Sequence, residues 1–377
     1  MKTLMHLVYS FDVGGLENVI VQLINRLPPD RYRHVLVSLT TLGAFADRIT
    51  APGVDKIALH KGPGHAIPLY PQLFRLFRQH RPAVLHTCNL AALEVVPIAW
   101  AAGVPRRVHA EHGWDASDPK GLNPRYQRLR RLYKPFVSHY VTVSQDLDDY
   151  LAHRVGVPPS RHTLIANGVD TDVFSPGPTG LGALADCPFN PVDHWLVGTV
   201  GRLQTVKNQP LLARAFVRFL ETHPQARTKA RLVMVGEGPL RAQVESILAQ
   251  AGVSHLAWLP GARADVPQVL QALDVFVLPS QTEGTSCTLQ EAMACGLPSV
   301  CTAVGGTPDV VSDGVDGLLV PPDDVEAMAQ AFGRYWAGGA VSDAATQHGL
   351  AARAKALQRF GIDAMLTRYD AVFSARF

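Results

Sequence analysis

Short aliphatic and β-branched runs alternate along this chain with segments whose apolar residues recur every three or four positions, and the alternation occurs twice. In the first half the strand-like runs are Leu4 to Tyr9, His34 to Leu39, Val84 to Thr87 and Tyr140 to Val143. Between them lie helical segments at Leu16 to Leu27, Leu69 to Gln79 and Tyr126 to Phe136. The runs are continuously apolar, as expected where helices cover both faces of a parallel sheet. With right-handed crossovers, a doubly wound α/β unit is the simplest architecture.

The pattern stops at Asn167, and the stretch to His194 holds four prolines and four glycines. A turn-rich break of that length inside one compact domain is uncommon, so it reads as a junction. The alternation then restarts, with strands at Trp195 to Val200, Leu232 to Val235, Val275 to Leu278 and Ser299 to Cys301, and helices at Leu211 to Leu220, Leu240 to Ala251 and Leu289 to Ala294. The expected organisation is a Rossmann-like N-terminal domain over residues 1–166, a linker over 167–194 and a Rossmann-like C-terminal domain over 195–360. A last helix within 361–377 could pack on either unit, including back on the first.

Length and composition exclude several classes. At 377 residues and 47% hydrophobic, the chain is too long for a disulfide scaffold and too apolar for disorder. The longest apolar candidate, Ala91 to Val104, is interrupted by Glu94 and Pro97, and nothing reaches the length of a membrane span. Five cysteines, odd in number and without C-x-x-C spacing, read as reduced thiols, and the N-terminus shows no signal-peptide pattern. A cytoplasmic location is the expectation. Residues 1–166 carry 20 Lys and Arg against 12 Asp and Glu, whereas residues 167–377 carry 15 against 20. The basic first half suggests an anionic partner, such as a membrane surface.

Three segments carry chemistry. The first strand runs into Asp12-Val13-Gly14-Gly15, a glycine pair that lets backbone amides approach a phosphate at a helix start. In the second half, Gly201-Arg202-Leu203-Gln204-Thr205-Val206-Lys207 leaves a strand with two cations five residues apart, suited to a diphosphate leaving group without Mg²⁺. After Leu278-Pro279-Ser280, the segment Glu283 to Glu291 places seven residues between two carboxylates. Its Gly284, Thr285 and Ser286 form a small, amide-rich loop at a helix start, fit for phosphate oxygens, while Glu291 can accept from a ribose diol and Glu283 can hold sugar hydroxyls.

On these segments the sequence resembles the retaining glycosyltransferases of family 4, which have the GT-B fold of two Rossmann-like domains facing across a cleft. Arg202 and Lys207 match that family's phosphate-binding pair, Glu283 to Glu291 its E-x7-E motif, Asn167-Gly168-Val169-Asp170 its interdomain segment and Gly14-Gly15 its N-terminal loop. Val8 to Asn18 is similar to bacterial sugar transferases of exosortase (PEP-CTERM) exopolysaccharide clusters. Thr285-Ser286 stands where many members carry Phe-Gly. The resemblance implies that His112, in Ala110-Glu111-His112-Gly113-Trp114, is the active-site histidine, across the cleft from Glu283. It further implies transfer of a sugar from a nucleotide donor, with UDP the expected nucleotide, to a glycan or polyprenyl-linked acceptor. In such enzymes the acceptor hydroxyl attacks the face the leaving group departs from, through an oxocarbenium-like transition state, and no protein nucleophile or metal cofactor is needed.

The alternatives are a GT-B sugar-nucleotide epimerase, which would turn over donor without acceptor, and a non-catalytic sugar-nucleotide sensor. A paired-carboxylate hydrolase fits poorly with a helix-borne Glu291. Two D-x-D triplets, Asp146-Leu147-Asp148 and Asp170-Thr171-Asp172, stand at a helix start and in the interdomain segment, and no Cys/His spacing suits zinc, so no metal site is expected. Arg125, Arg128, Arg130, Arg131 and Lys134, with no acid among them, outline a basic amphipathic helix that could dock on anionic lipid, and Leu73 to Arg81 is similar. The bland account of both is a core-facing stripe with a solvated basic face.

Overall fold

The computed structural model describes residues 1–12, 14–115, 117, 118, 120–177 and 184–375. Two compact units divide the chain, one formed by Met1–Asn167 with Asp363–Phe377 and the other by Gly168–Ile362.

The first unit is a seven-stranded parallel sheet of β1 (Lys2–Val8), β2 (Tyr32–Ser38), β3 (Asp55–Ala58), β4 (Val84–Cys88), β5 (Arg106–Glu111), β6 (His139–Thr142) and β7 (His162–Leu164), in the order β3-β2-β1-β4-β5-β6-β7. The second is a six-stranded parallel sheet of β8 (Trp195–Val200), β9 (Ala230–Val235), β10 (Ala257–Gly261), β11 (Val275–Leu278), β12 (Ser299–Thr302) and β13 (Leu318–Val320), in the order β10-β9-β8-β11-β12-β13. In each sheet the order reverses beside the first strand, between β1 and β4 and between β8 and β11. Loops leaving the carboxyl ends of those strands form the crevice where open α/β sheets bind ligands.

The central strands are the ones whose sequences are continuously apolar. The outer strands β3, β7 and β10 are mostly half-buried and more mixed in composition, which removes the apolar-run signal from them. β5 is central yet reads RRVHAE, because its polar side chains find partners inside the protein.

The linker expectation changes. Residues 168–177 and 184–194 group with the second unit. There Arg353 donates to the carbonyls of Thr171 and Phe174, Gln271 donates to that of Ser175, and Leu184 and Phe189 are buried. Residues 178–183 of the expected linker, with Pro178, Gly180 and Gly182, lie outside the described residues. The C-terminal helix Ile362–Ser374 belongs to the first unit from Asp363 onward. Asp370 pairs with Arg31 at 2.6 Å and accepts from the Tyr32 hydroxyl, and Arg106 donates to the Phe373 carbonyl.

Beneath that helix, on one face of the first sheet, lies a row of buried histidines. His6 and His86 face each other in register on β1 and β4, their Nδ1 atoms 3.0 Å apart, and His6 Nε2 is 3.2 Å from His34 Nδ1. The rings of Tyr369 and Phe373 pack on His86. Burial pushes His34 down to about 4, and burial together with its histidine neighbours lowers His6 well below the usual range. Because the unfolded chain takes up the His34 proton near pH 6.5 and the folded chain only near pH 4, this contribution to stability is complete above pH 6.5 and is lost as pH falls through that window. We expect His34 alone to cost about 2 kcal/mol at pH 5. Urea unfolding followed at pH 7.5 and pH 5 checks this, and a His34→Asn variant should show a smaller loss.

No disulfide joins any of the five cysteines, and burial pushes the Cys295 and Cys301 thiols up to about 12. Among the described residues, no helix is long and apolar enough to cross a membrane.

Candidate active site

In the second unit the loops after β8 and β11 are stitched to each other at the switch point. The Gln281 amide donates to the Val206 carbonyl at 2.9 Å, and the Thr302 hydroxyl of β12 donates to the Ser280 carbonyl at 2.5 Å. The result is that Lys207 and Glu283, 76 positions apart in sequence, form an ion pair of 2.5 Å. The Ser280 hydroxyl donates to the same Glu283 oxygen at 2.6 Å. From below, the Gly306 amide donates to the Glu283 carbonyl at 3.2 Å. Gly305 has φ +49, and a Cβ there would collide with that carbonyl, so the turn needs glycine.

Arg202 follows β8 by two residues. Its main chain is fixed by the Gln209 side chain, which donates to the Arg202 carbonyl at 2.9 Å, while its own side chain is exposed. Lys207 ends a short 3-10 turn, and Asn208, at φ 48, opens the helix Gln209–Thr222 with its side chain bonded to Asp323. Gly284, Thr285 and Ser286 are buried and lead into the helix Cys287–Ala294, where Ser286 caps the first turn by accepting from the Leu289 amide at 3.4 Å. Glu291 lies on that helix, half-buried. Arg202, Lys207, Glu283 and the Gly284–Ser286 turn therefore belong to loops that leave the two strands flanking one switch point. A cation, an ion-paired carboxylate and a helix start together suit an anionic ligand with attached hydroxyls.

In the first unit Gly14 and Gly15 begin the helix Gly15–Arg26 at the carboxyl edge of β1. The Glu17 carboxylate of the first turn lies over Gly14, where a Cβ would strike it, so this helix start already faces an anion of its own chain.

His112 follows β5. Its amide donates to Asn89 Oδ1 at 2.8 Å, and Asn89, at φ 59, begins the short turn after β4. Both His112 ring nitrogens are buried without a hydrogen-bond partner among the described residues. Burial pushes the imidazole down to about 4 against the opposing pull of Glu111, so at neutral pH it is an uncharged donor and acceptor.

Beside it, Glu111 is fully buried and held by Arg130 in a two-pronged pair, Nε to Oε1 at 2.6 Å and Nη2 to Oε2 at 3.1 Å. Burial alone would raise the Glu111 carboxyl, but the Arg130 charge holds it well below the usual carboxylate range. This corrects the reading of Arg130 as a lipid-facing cation. It sits in the helix Pro124–Tyr133 with 4% exposure, and its partner on β5 is 19 residues away, out of reach of a helix-face argument. Arg131 donates to the Arg154 carbonyl and Lys134 to that of Gly156. Arg125 and Arg128 remain exposed, lining with His65, Leu129 and Leu132 a shallow depression of about 360 Å³. In the second basic segment Leu73 and Phe77 are core residues, the stripe facing inward.

Neither D-x-D triplet gathers its acids. Asp146 accepts from Trp114 Nε1, Asp148 accepts from Thr142 and pairs with His162, and Asp170 caps the turn at Asp172 and Val173. What the sequence did not reveal is a cluster in the first unit, His86, Cys88 and His112, whose ligand-type atoms all lie within 4.8 Å of one another. His86 and Cys88 share a face of β4 because they are two residues apart, and strand pairing of Cys88 with Ala110 brings the end of β5 alongside. The H-x-C spacing was the available signal.

Comparison with known proteins assigns the two units. Residues 13–173 match the model described as Glycosyltransferase Family 4, and residues 195–337 match Glycosyl transferases group 1. The chain belongs to glycosyltransferase family 4. It is similar to a D-inositol 3-phosphate glycosyltransferase of Thermobifida fusca, 29% identical over 86% of this chain and 80% of the relative. A UDP-Gal:alpha-D-GlcNAc-diphosphoundecaprenol alpha-1,3-galactosyltransferase of Escherichia coli is 27% identical over 70% of this chain and 68% of the relative. The D-inositol 3-phosphate glycosyltransferase of Acidothermus cellulolyticus is 34% identical over 48% of the chain, which there spans only 41% of the relative. Among solved structures, Anabaena Alr3699/HepE in complex with UDP and glucose superimposes with TM-score 0.82 at 21% identity, covering 99% of this chain and 100% of that one. At that identity the likeness establishes the fold, GT-B, with its two Rossmann-like domains.

Proposed function

We propose that this family 4 glycosyltransferase moves a hexose, with retention, from a UDP-sugar to a glycan or polyprenyl-linked acceptor, in exopolysaccharide or cell-surface glycan synthesis. The observation that carries the reading is the convergence of Lys207 and Glu283 beside the Ser286-capped helix start, at the switch point of the second sheet. The UDP and glucose of the HepE complex and the diphosphoundecaprenol acceptor of the E. coli relative support the choice of donor and acceptor class.

In this mechanism Arg202 and Lys207 meet the diphosphate, and Gly284, Thr285 and Ser286 present the helix start to its oxygens. Glu291 accepts from the ribose diol, Glu283 holds sugar hydroxyls, and neutral His112 acts as the active-site histidine. Beside β1, Gly14 leaves the space that the Glu17 carboxylate takes. As the sugar–phosphate bond breaks, negative charge grows on the leaving diphosphate and positive charge on the sugar. The acceptor hydroxyl attacks on the same face and gives its proton to the departing phosphate. Fixed cations stabilise this state more than the ground state, which is what raises the rate, and the chemistry requires no metal. Exposed Arg125 and Arg128 would hold the chain on anionic lipid at the cytoplasmic face, near a membrane-borne acceptor.

The test is UDP release and product formation from a panel of UDP-sugars, with and without lipid-linked acceptor in anionic vesicles. Acceptor-dependent transfer with retained anomeric configuration supports the proposal, and turnover of donor without acceptor favours an epimerase. A Glu283→Gln variant separates binding from chemistry. Losing the carboxylate frees the Lys207 charge for the diphosphate, so UDP affinity should hold or rise while kcat falls by about 100-fold.

A further inference from the structure

We propose that His86, Cys88 and His112 form a zinc site in the first unit, and that filling it withdraws His112 from sugar transfer. The donor set is two imidazoles and a thiol, the ligands that select Zn²⁺ over Mg²⁺ or Ca²⁺. Cys88 Sγ lies 3.6 Å from His86 Nε2. A tetrahedral ion with Zn–S of about 2.3 Å and Zn–N of about 2.05 Å sets that same edge at about 3.6 Å. His112 closes the triangle with all donor atoms within 4.8 Å, and the set leaves a fourth position for water.

Two further observations point to a ligand. Both His112 ring nitrogens are buried with no hydrogen-bond partner among the described residues, a costly state for an imidazole unless something else satisfies one of them. His86 also has the outer contact that zinc-binding histidines use. Its Nδ1 meets His6 Nδ1 at 3.0 Å, and His6 Nε2 meets His34 at 3.2 Å. If His86 donates its Nδ1–H along this row, its Nε2 lone pair faces Cys88. On binding, Cys88 loses its thiol proton to solvent and the sulfur–zinc bond forms. Each imidazole ligates through one neutral nitrogen and keeps its other hydrogen.

Zinc binding stands on the first unit alone. Its effect on transfer rests on the role proposed for His112, so the two are tested separately. The full chain, stripped with chelator, is titrated with Co²⁺ as a spectroscopic substitute for Zn²⁺. One equivalent should give a thiolate-to-metal charge-transfer band and the strong visible bands of a tetrahedral site, both abolished by Zn²⁺. In Cys88→Ser the charge-transfer band should vanish, and Zn²⁺ affinity by chelator competition should fall by at least about tenfold. A wild-type spectrum without the thiolate band, or one unchanged in Cys88→Ser, overturns the site; the other four cysteines serve as internal controls for stray thiolate binding. If the site is present, Zn²⁺ should inhibit wild-type transfer while Cys88→Ser transfer, whatever its basal rate, responds at least tenfold less. Equal inhibition of both overturns the link to His112 and leaves the glycosyltransferase reading intact.

Discussion

Replacing Arg202 and Lys207 together by alanine is expected to lower kcat/KM for transfer by at least about 10³-fold. In the proposed mechanism each cation meets the developing diphosphate charge, and removing one such donor typically costs about 100-fold. The double loss should fall short of the product of the singles, because both act on one charge and the remaining helix start still contributes. The singles differ in a way the structure explains. Arg202 is exposed, so Arg202→Ala should leave thermal stability unchanged. Lys207→Ala removes the countercharge of Glu283, whose side chain is 9% exposed, so it should also lower the melting temperature. Steady-state kinetics with thermal melting on the three variants checks all of this. Full transfer rates in the double variant would end the assignment.

The second large effect concerns stability. Arg130→Met should destabilise the first unit by about 3–5 kcal/mol, because it leaves the fully buried Glu111 carboxylate without its countercharge. Adding Glu111→Met should recover most of that loss, since two apolar side chains of similar volume replace a desolvated pair. Native-state hydrogen exchange of β5 amides reads the change where it occurs. His112 follows Glu111 directly, so the single variant should lose transfer along with β5 protection. Arg125→Ala, on an exposed position of the same helix, should leave β5 protection unchanged.

The alternation of apolar runs with helical periods was enough to read two Rossmann-like units, since central strands such as Val275–Leu278 are buried on both faces and carry no polar positions. Outer strands such as Asp55–Ala58 and Ala257–Gly261 escaped because their half-exposed side chains erase the run. Residue types at the second-unit site were legible for a similar reason: Arg202, Lys207 and Glu283 lie in loops directly after strands. Their pairing was not, because it depends on β8 and β11 being neighbours. Arg130 was misread from helix periodicity alone, its partner being on another element. The His86–Cys88–His112 cluster escaped in the same way, its third member arriving only through strand pairing. Long-range register sets each of these contacts, and local spacing carries no record of it.

The central claim is that the loops after β8 and β11 hold the donor diphosphate. Hydrogen–deuterium exchange of the full chain with and without saturating UDP addresses it most directly. The account predicts slowed exchange concentrated in residues 201–208 and 283–291, lost in the Arg202/Lys207 double variant. Protection elsewhere, with both segments exchanging as in the unliganded chain, would contradict it.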